Sequence, residues 1–298
     1  MKNIFDITQY CKICKKKGDI ILNEDFLNKK NINFFNNFYK KKFFFFINKK
    51  KFRNFQFKLL KCKNCNFIWQ EKSLKKTYSK ILYDKIIDNR ISYKKNKLKY
   101  SNDNQFKLEK YLITKLIKKN SKILDIGAGW GNWLINFLEN YKLYGIEFSK
   151  KRQIKLKKLK IKILRENKFE RLRNSFNVIK LDQVLEHIDD LDKFLVMINK
   201  LSTKKKRLLI ISVPDGRKVI ENFNSYIYSK GPIQPLEHLN CFSNKSLVKL
   251  MQKFGYKRID LFELCWIFLP FLIKNPIKLI NLGKKIYDQF YGTKIIFK

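Results

Sequence analysis

The stretch 121-SKILDIGAGWGNW-133 decides how this chain is read. The apolar pair Ile123-Leu124 leads into Asp125. Gly127, Gly129 and Gly131 follow at alternate positions, and apolar residues resume at Leu134, Phe137 and Leu138. This order predicts a buried strand, a tight glycine turn and the first turns of a helix. Glycine reaches positive φ and lets a ligand approach bare backbone, while a helix start offers free N–H groups. Open α/β sheets bind ligands in such a cradle, at the carboxyl ends of their strands.

The dinucleotide fingerprint GxGxxG requires a glycine at 132, where the chain has Asn132, so the spacing is DxGxGxG instead. Downstream, Leu143–Ile146 is a second apolar run closed by Glu147, whose carboxylate is suited to accept from ribose hydroxyls. Strands are expected near 122–126, 143–147, 161–164, 176–181 and 207–213, the last ending at Pro214. Helices alternate with them, which predicts an α/β, Rossmann-like fold with a mostly parallel sheet. A sixth strand over 256–264 and a last one at 293–297, with 266–290 inserted between, bring the sheet to about seven strands. Residues 214–245, with Pro214, Gly216, Gly231, Pro232 and Pro235, read as an irregular lid. Ser243 is placed to cap a helix that Gly255 ends.

Taken together and in this order, the motifs resemble the class I S-adenosylmethionine-dependent methyltransferases over roughly residues 110–260. The similarity is greatest to a branch whose fourth strand runs into a "vLEHl" segment, here Val184-Leu185-Glu186-His187-Ile188. The resemblance implies that Asp125, Gly127, Ala128, Gly129 and Gly131 hold the cofactor around its methionine half, and that Glu147 holds the ribose. It also implies that Asp182 and Gln183 border the adenine and methyl-transfer side. Glu166 or Asn167 is left to serve the adenine amine, and Trp130 is expected to pack over the cofactor.

A second signal stands near the amino terminus. Cys11-Lys-Ile-Cys14 and Cys62-Lys-Asn-Cys65 can present four thiolates tetrahedrally, as structural zinc requires. MKNIFDITQY lacks the apolar run of a signal peptide, so a cytoplasmic location is expected and disulfides are disfavoured. The segment between the pairs carries four consecutive phenylalanines, Phe43–Phe46, and is expected to form a strand hairpin. Cys241 and Cys265 are isolated and are expected to be buried as small hydrophobes. The organisation expected is a zinc-ribbon-like binding module over 1–75, a helical linker over 76–120 and a methyltransferase domain over 121–298. A zinc module of this kind resembles the one that precedes the methyltransferase domain in sugar C-methyltransferases. That resemblance extends to Phe67-Ile68-Trp69 and the tyrosines Tyr78 and Tyr83, and it implies that Tyr78 contributes a phenol to the acceptor pocket.

The net charge of +42 in 298 residues favours anionic partners. The lysines fall on every segment rather than in one stripe, and Lys, Asn, Ile and Phe all have AT-rich codons, so coding bias explains much of the excess. The expected acceptor is a small molecule or a glycan-linked group such as a nucleotide sugar. RNA is a second reading, carried by the charge and by Phe34, Phe35 and Phe38 beside lysines. A protein that binds the cofactor or a partner without catalysis is a third. The apolar stretch Leu261–Ile273 contains Glu263 and Pro270 and is too short to span a bilayer. Peripheral membrane contact through 261–285 remains open.

Methyl transfer from a sulfonium is an in-line displacement in which alignment does most of the work. A hydroxyl or carbon acceptor also needs a base. The chain has two histidines. His238, in the lid and beside Glu237, is the expected base, with Glu237 tuning it. His187 is expected to be structural or to border the cofactor.

Overall fold

The computed structural model describes residues 4–87, 104–165, 168–217, 219, 231–273 and 279–298. Among these the strands are β1 (Phe5–Ile7), β2 (Asp19–Asp25), β3 (Gln56–Lys61), β4 (Ile68–Gln70), β5 (Lys72–Leu74) and β6 (Lys122–Ile126). They continue with β7 (Lys142–Ile146), β8 (Lys162–Ile163), β9 (Phe176–Asp182), β10 (Leu208–Ser212), β11 (Asn240–Cys241) and β12 (Lys294–Phe297). The chain divides into two compact units. One takes Met1–Ser92, Leu185–Leu191 and Pro214–Lys249; the other takes Tyr93–Val184, Asp192–Val213 and Leu250–Lys298.

The second unit carries the α/β fold. Its sheet has the order β12-β10-β9-β6-β7-β8, parallel throughout except for β12, which runs antiparallel to β10. Apolar runs such as KILDI in β6 and LLIIS in β10 are buried along most of their length, as parallel strands covered on both faces must be. Six strands are described rather than seven. Tyr256–Leu264 is not a strand: it makes one bridge, Arg258 to Phe297, and then Asp260 turns it into a helix over Leu261–Ile273. The Asp260 carboxylate accepts from the Glu263 N–H at 2.8 Å and caps this helix. Cys265 on this helix is exposed, against expectation, whereas Cys241 is buried. Leu261, Phe262, Trp266, Leu269 and Ile273 are also exposed on it. No helix among the described residues is long and apolar enough to cross a membrane.

The first unit is built on a four-stranded antiparallel sheet, β11-β4-β3-β2, and a β1-β5 pair. β2 and β3 form the expected hairpin between the cysteine pairs, but the phenylalanine run is not part of it. Lys40 and Lys41 take left-handed conformations, and Lys42–Phe46 is a short helix. Phe43 enters a core with Phe26, Phe35 and Phe52, while Phe45 stays exposed. Phe35 is fully buried, and Phe34 and Phe38 stack on each other at 5.2 Å. Val219, Ile233, Leu236 and Cys241 complete the same core. Ser243 accepts from the Ser246 N–H and caps the helix Asn244–Gln252, and Gly255 follows at φ 76°.

Candidate active site

β6 ends at Ile126, and the chain turns through Gly127, Gly129 and Gly131 at φ 73°, 55° and 80°. The three glycines do different work. A Cβ on Gly129 would meet only the Gly127 carbonyl, at 3.8 Å, so this position faces open space. A Cβ on Gly131 would strike Leu156 at 2.7 Å. Gly131 therefore lets the helix Lys150–Lys158 pack close against the turn. The helix expected after the turn is a single 3-10 turn, Leu134–Phe137. The Asn136 amide donates back to the carbonyls of Asn132 and Trp133, taking acceptors that an α-helix would use.

Glu147, just past β7, lies across this turn. Its Oε2 accepts from the Gly129 N–H at 3.0 Å and its Oε1 from the Ser149 N–H at 2.8 Å, with Arg152 Nη1 at 3.5 Å. The carboxylate is thus fixed beside an open glycine backbone and keeps lone pairs for hydroxyl donors, which fits a nucleoside ribose. Ala128 is buried, its N–H donating to Ile146. Asp182 ends β9 in register with Ser212, and Gln183 follows exposed at φ 57°. Glu166 and Asn167 lie outside the described residues. Trp130 sits 5.8 Å from the Arg152 guanidinium, ring centroid to carbon.

Under the turn lies a buried ionic cluster. Lys180, in the middle of β9, contacts Glu109 at 3.2 Å. Glu109 also takes Lys294 at 2.7 Å and the Trp133 indole N–H at 2.8 Å. Burial works against the Lys180 charge, but Glu109, Asp182 and Asp125 outweigh it and hold the ammonium above the ordinary lysine range. Burial pushes the Asp125 carboxyl up to about 8, opposed by Lys180. The one visible signal for Lys180 is a charge inside the apolar run FNVIKLD.

In the first unit the four cysteines converge, their sulfurs all within 4.8 Å of one another. Each CxxC makes the same turn. Cys11 N donates to Lys16 and Lys15 N to Cys11; Cys62 N donates to Phe67 and Asn66 N to Cys62. Lys15 and Asn66 both sit at left-handed φ, 58° and 56°. The Ile13 and Cys14 amides point at the Cys11 sulfur, 3.4 and 3.3 Å away. Contact with Cys65, helped by these amides, draws the Cys11 thiol down to about 5. Four sulfurs held at ligand spacing, with amides aimed at one of them, fit a tetrahedral zinc ion.

The same unit gathers the residues expected to do chemistry, but not as expected. Glu237, next to His238 in sequence, is engaged by Tyr39 and Gln234. Its carboxylate accepts from Tyr39 Oη at 2.9 Å and from the Gln234 amide. His238 Nδ1 lies 3.0 Å from the Gly231 carbonyl, and its ring stands 4.8 Å from that of His187, edge to face. His187 Nδ1 lies 3.0 Å from the Glu237 carbonyl and 3.1 Å from Tyr83 Oη. Tyr83 stands beside His187. Tyr78 instead takes a hydrogen bond from Lys51, whose ammonium lies over its ring. Burial draws His187 down to about 4 and His238, next to His187, down to about 3.

The model of a methyltransferase domain family matches residues 101–261, over half the chain. Similar solved structures include an S-adenosylmethionine-dependent methyltransferase from Thermotoga maritima, described as a possible histamine N-methyltransferase. It is 20% identical, with 57% of this chain and 79% of that chain covered and a TM-score of 0.39. Another, from Aquifex aeolicus, is 20% identical over 58% and 91%, with a TM-score of 0.39. A third, from Archaeoglobus fulgidus, is 15% identical over 69% and 97%, also at 0.39. No curated protein matches. With its parallel sheet, open glycine turn and fixed Glu147, the chain belongs to this methyltransferase domain family and is an S-adenosylmethionine-dependent methyltransferase.

Proposed function

We propose that the acceptor is a small molecule or a glycan-linked group such as a nucleotide sugar, and that the amino-terminal cysteines hold a structural zinc ion. The observation that carries the acceptor reading is the pair His187 and His238 with Tyr83. These are polar groups gathered on segments 51 residues apart in sequence, inside a unit with its own aromatic core. S-adenosylmethionine supplies an electrophilic methyl group. Asp125, Gly127, Ala128, Gly129, Glu147, Asp182 and Gln183 are assigned to holding it, and Gly131 to packing beneath them. Lys180 opposes the burial that raises the Asp125 carboxyl, and Glu109 adds to that rise.

Burial keeps both imidazoles neutral at neutral pH, so each presents a lone pair. A group drawn so low is a weak proton acceptor, which suits His238 to a lone-pair role other than that of general base. Glu237 is a positioning residue, held by Tyr39 and Gln234, and Tyr83 is the phenol that stands beside His187. The RNA reading loses Phe35, whose ring is enclosed in the core. Peripheral membrane contact is supported by the exposed Phe262, Trp266 and Ile273.

Calorimetric titration with S-adenosylmethionine, followed by a screen of nucleotide sugars against RNA for methyl uptake, tests the assignment. Binding that Gly129→Arg abolishes, with uptake into a nucleotide sugar, is the expected result. Uptake into RNA alone overturns the acceptor class.

A further inference from the structure

The histidine pair sits where two backbone segments are pinned with unusual care. Asn240 Nδ2 donates to the carbonyls of Leu185 and Ile188, at 2.8 and 2.6 Å, fixing the 3-10 turn Leu185–His187. Gln70 Nε2 donates to the carbonyls of Gln234 and His238, both at 2.8 Å. Its Oε1 accepts from Leu236 N, also at 2.8 Å, and so fixes the lid segment that bears His238. Both rings also have their tautomer decided. Each Nδ1 faces a backbone carbonyl, which only accepts, so the proton sits on Nδ1 and the lone pair on Nε2. Glu186, fully buried, places Oε1 4.0 Å from His187 Nε2.

We propose that Glu186, His187 and His238 form a divalent-cation site, with a Glu186 carboxylate oxygen and the two Nε2 atoms as ligands. Their candidate ligand atoms all lie within 4.8 Å of one another. A cation about 2.0–2.2 Å from each needs them roughly 3.3 Å apart, a contraction within reach of small side-chain rotations. The backbone carbonyls of Glu237 and Gly231 are the outer partners that metal-bound imidazoles use to fix their orientation. Two imidazoles and a carboxylate suit zinc, manganese, iron or cobalt, and differ in kind from the four-thiolate cluster of the same unit. Three protein ligands leave coordination positions for an oxygen from outside. Resting on the methyl-acceptor reading above, that oxygen is an acceptor hydroxyl, whose proton passes more readily to solvent once the oxygen is on the cation. This is the lone-pair role for His238, and it dispenses with a general base of ordinary strength.

The test uses the full chain with zinc already on its cysteines. Titration with cobalt(II) is followed by calorimetry and visible absorption. One further equivalent without a thiolate-to-cobalt charge-transfer band is expected, weakened more than about tenfold by Glu186→Gln and by His238→Gln. S-adenosylmethionine binding, measured on the same samples, reports folding and tests the methyltransferase reading separately. The chain has only two histidines. Their imidazole nitrogen spectra in the unsubstituted protein therefore read the ligands directly, and both Nε2 resonances should move with the first zinc equivalent beyond the cysteines. No metal uptake beyond the cysteine site, uptake unchanged in both variants, or unmoved Nε2 resonances overturn the proposal.

Discussion

Replacing Lys180 with methionine should expose how the cofactor strand tolerates its buried charges. Lys180 and Glu109 are 1% and 0% exposed, so the substitution strands a carboxylate that water cannot reach. Removing one partner of such a pair costs about 3–5 kcal/mol. Here Glu109 keeps Lys294 at 2.7 Å and the Trp133 N–H at 2.8 Å, which places the loss at the lower end, about 3 kcal/mol. Asp125 also loses the one charge that opposes its burial. Urea unfolding followed by tryptophan fluorescence should show a midpoint lowered by roughly 1–3 M. The double variant Lys180→Met/Glu109→Leu should recover part of the loss, because it removes the stranded carboxylate but leaves Lys294 and the Trp133 N–H without Glu109. A single-variant loss below about 1 kcal/mol, or a double variant as unstable as the sum of the two singles, would show that the cluster does not hold this strand.

Four further outcomes follow from the same structure. Asp125 titrates near 8 when folded and about 3.9 when unfolded, so the folded state holds its proton more tightly; its contribution is full below about pH 4 and lost as pH rises through 8. Denaturation at a series of pH values should therefore show the wild type losing stability relative to Asp125→Asn between about pH 4 and 8, and a constant difference would refute this. Gly131→Ala, driven into Leu156 and held at φ 80°, should cost about 1–3 kcal/mol in chemical denaturation and leave cofactor affinity nearly intact, whereas Gly129→Arg should do the reverse. Cobalt-substituted protein should show thiolate charge-transfer absorption that Cys62→Ser removes; its persistence would exclude Cys62 as a ligand. Co-sedimentation with phosphatidylserine vesicles should fall in Phe262→Asp/Trp266→Asp, and an unchanged bound fraction would free the 261–273 helix of any membrane role.

The strands at 122–126, 142–146, 176–182 and 208–212 were legible because each is an apolar run of strand length bounded by a turn or a charge. Phe43–Phe46 was not, since an unbroken apolar run carries no period, and the left-handed Lys40 and Lys41 that start its helix leave no mark in sequence. The helix at 261 did leave one: Asp260 and Glu263 stand at capping-box spacing. The cysteine quartet was legible from its two short spacings. The assembly of Glu186, His187 and His238 was not, because no local pattern joins residues 51 positions apart. Tyr78 and Tyr83, five residues apart, point to different faces of a helix, and only the fold decides which one meets the histidines.

The amino-terminal unit is not finished by the amino-terminal residues. Its core draws on Val219, Ile233, Leu236 and Cys241, and its sheet ends in β11. During synthesis at about 5–20 residues per second, the cysteines and the phenylalanine cluster leave the ribosome on the order of ten seconds before the strand that closes their sheet. A metal ion captured early at Cys11, Cys14, Cys62 and Cys65 would give that waiting segment a fixed point, and the open edge of β4 would stay unpaired until Asn240 and Cys241 arrive.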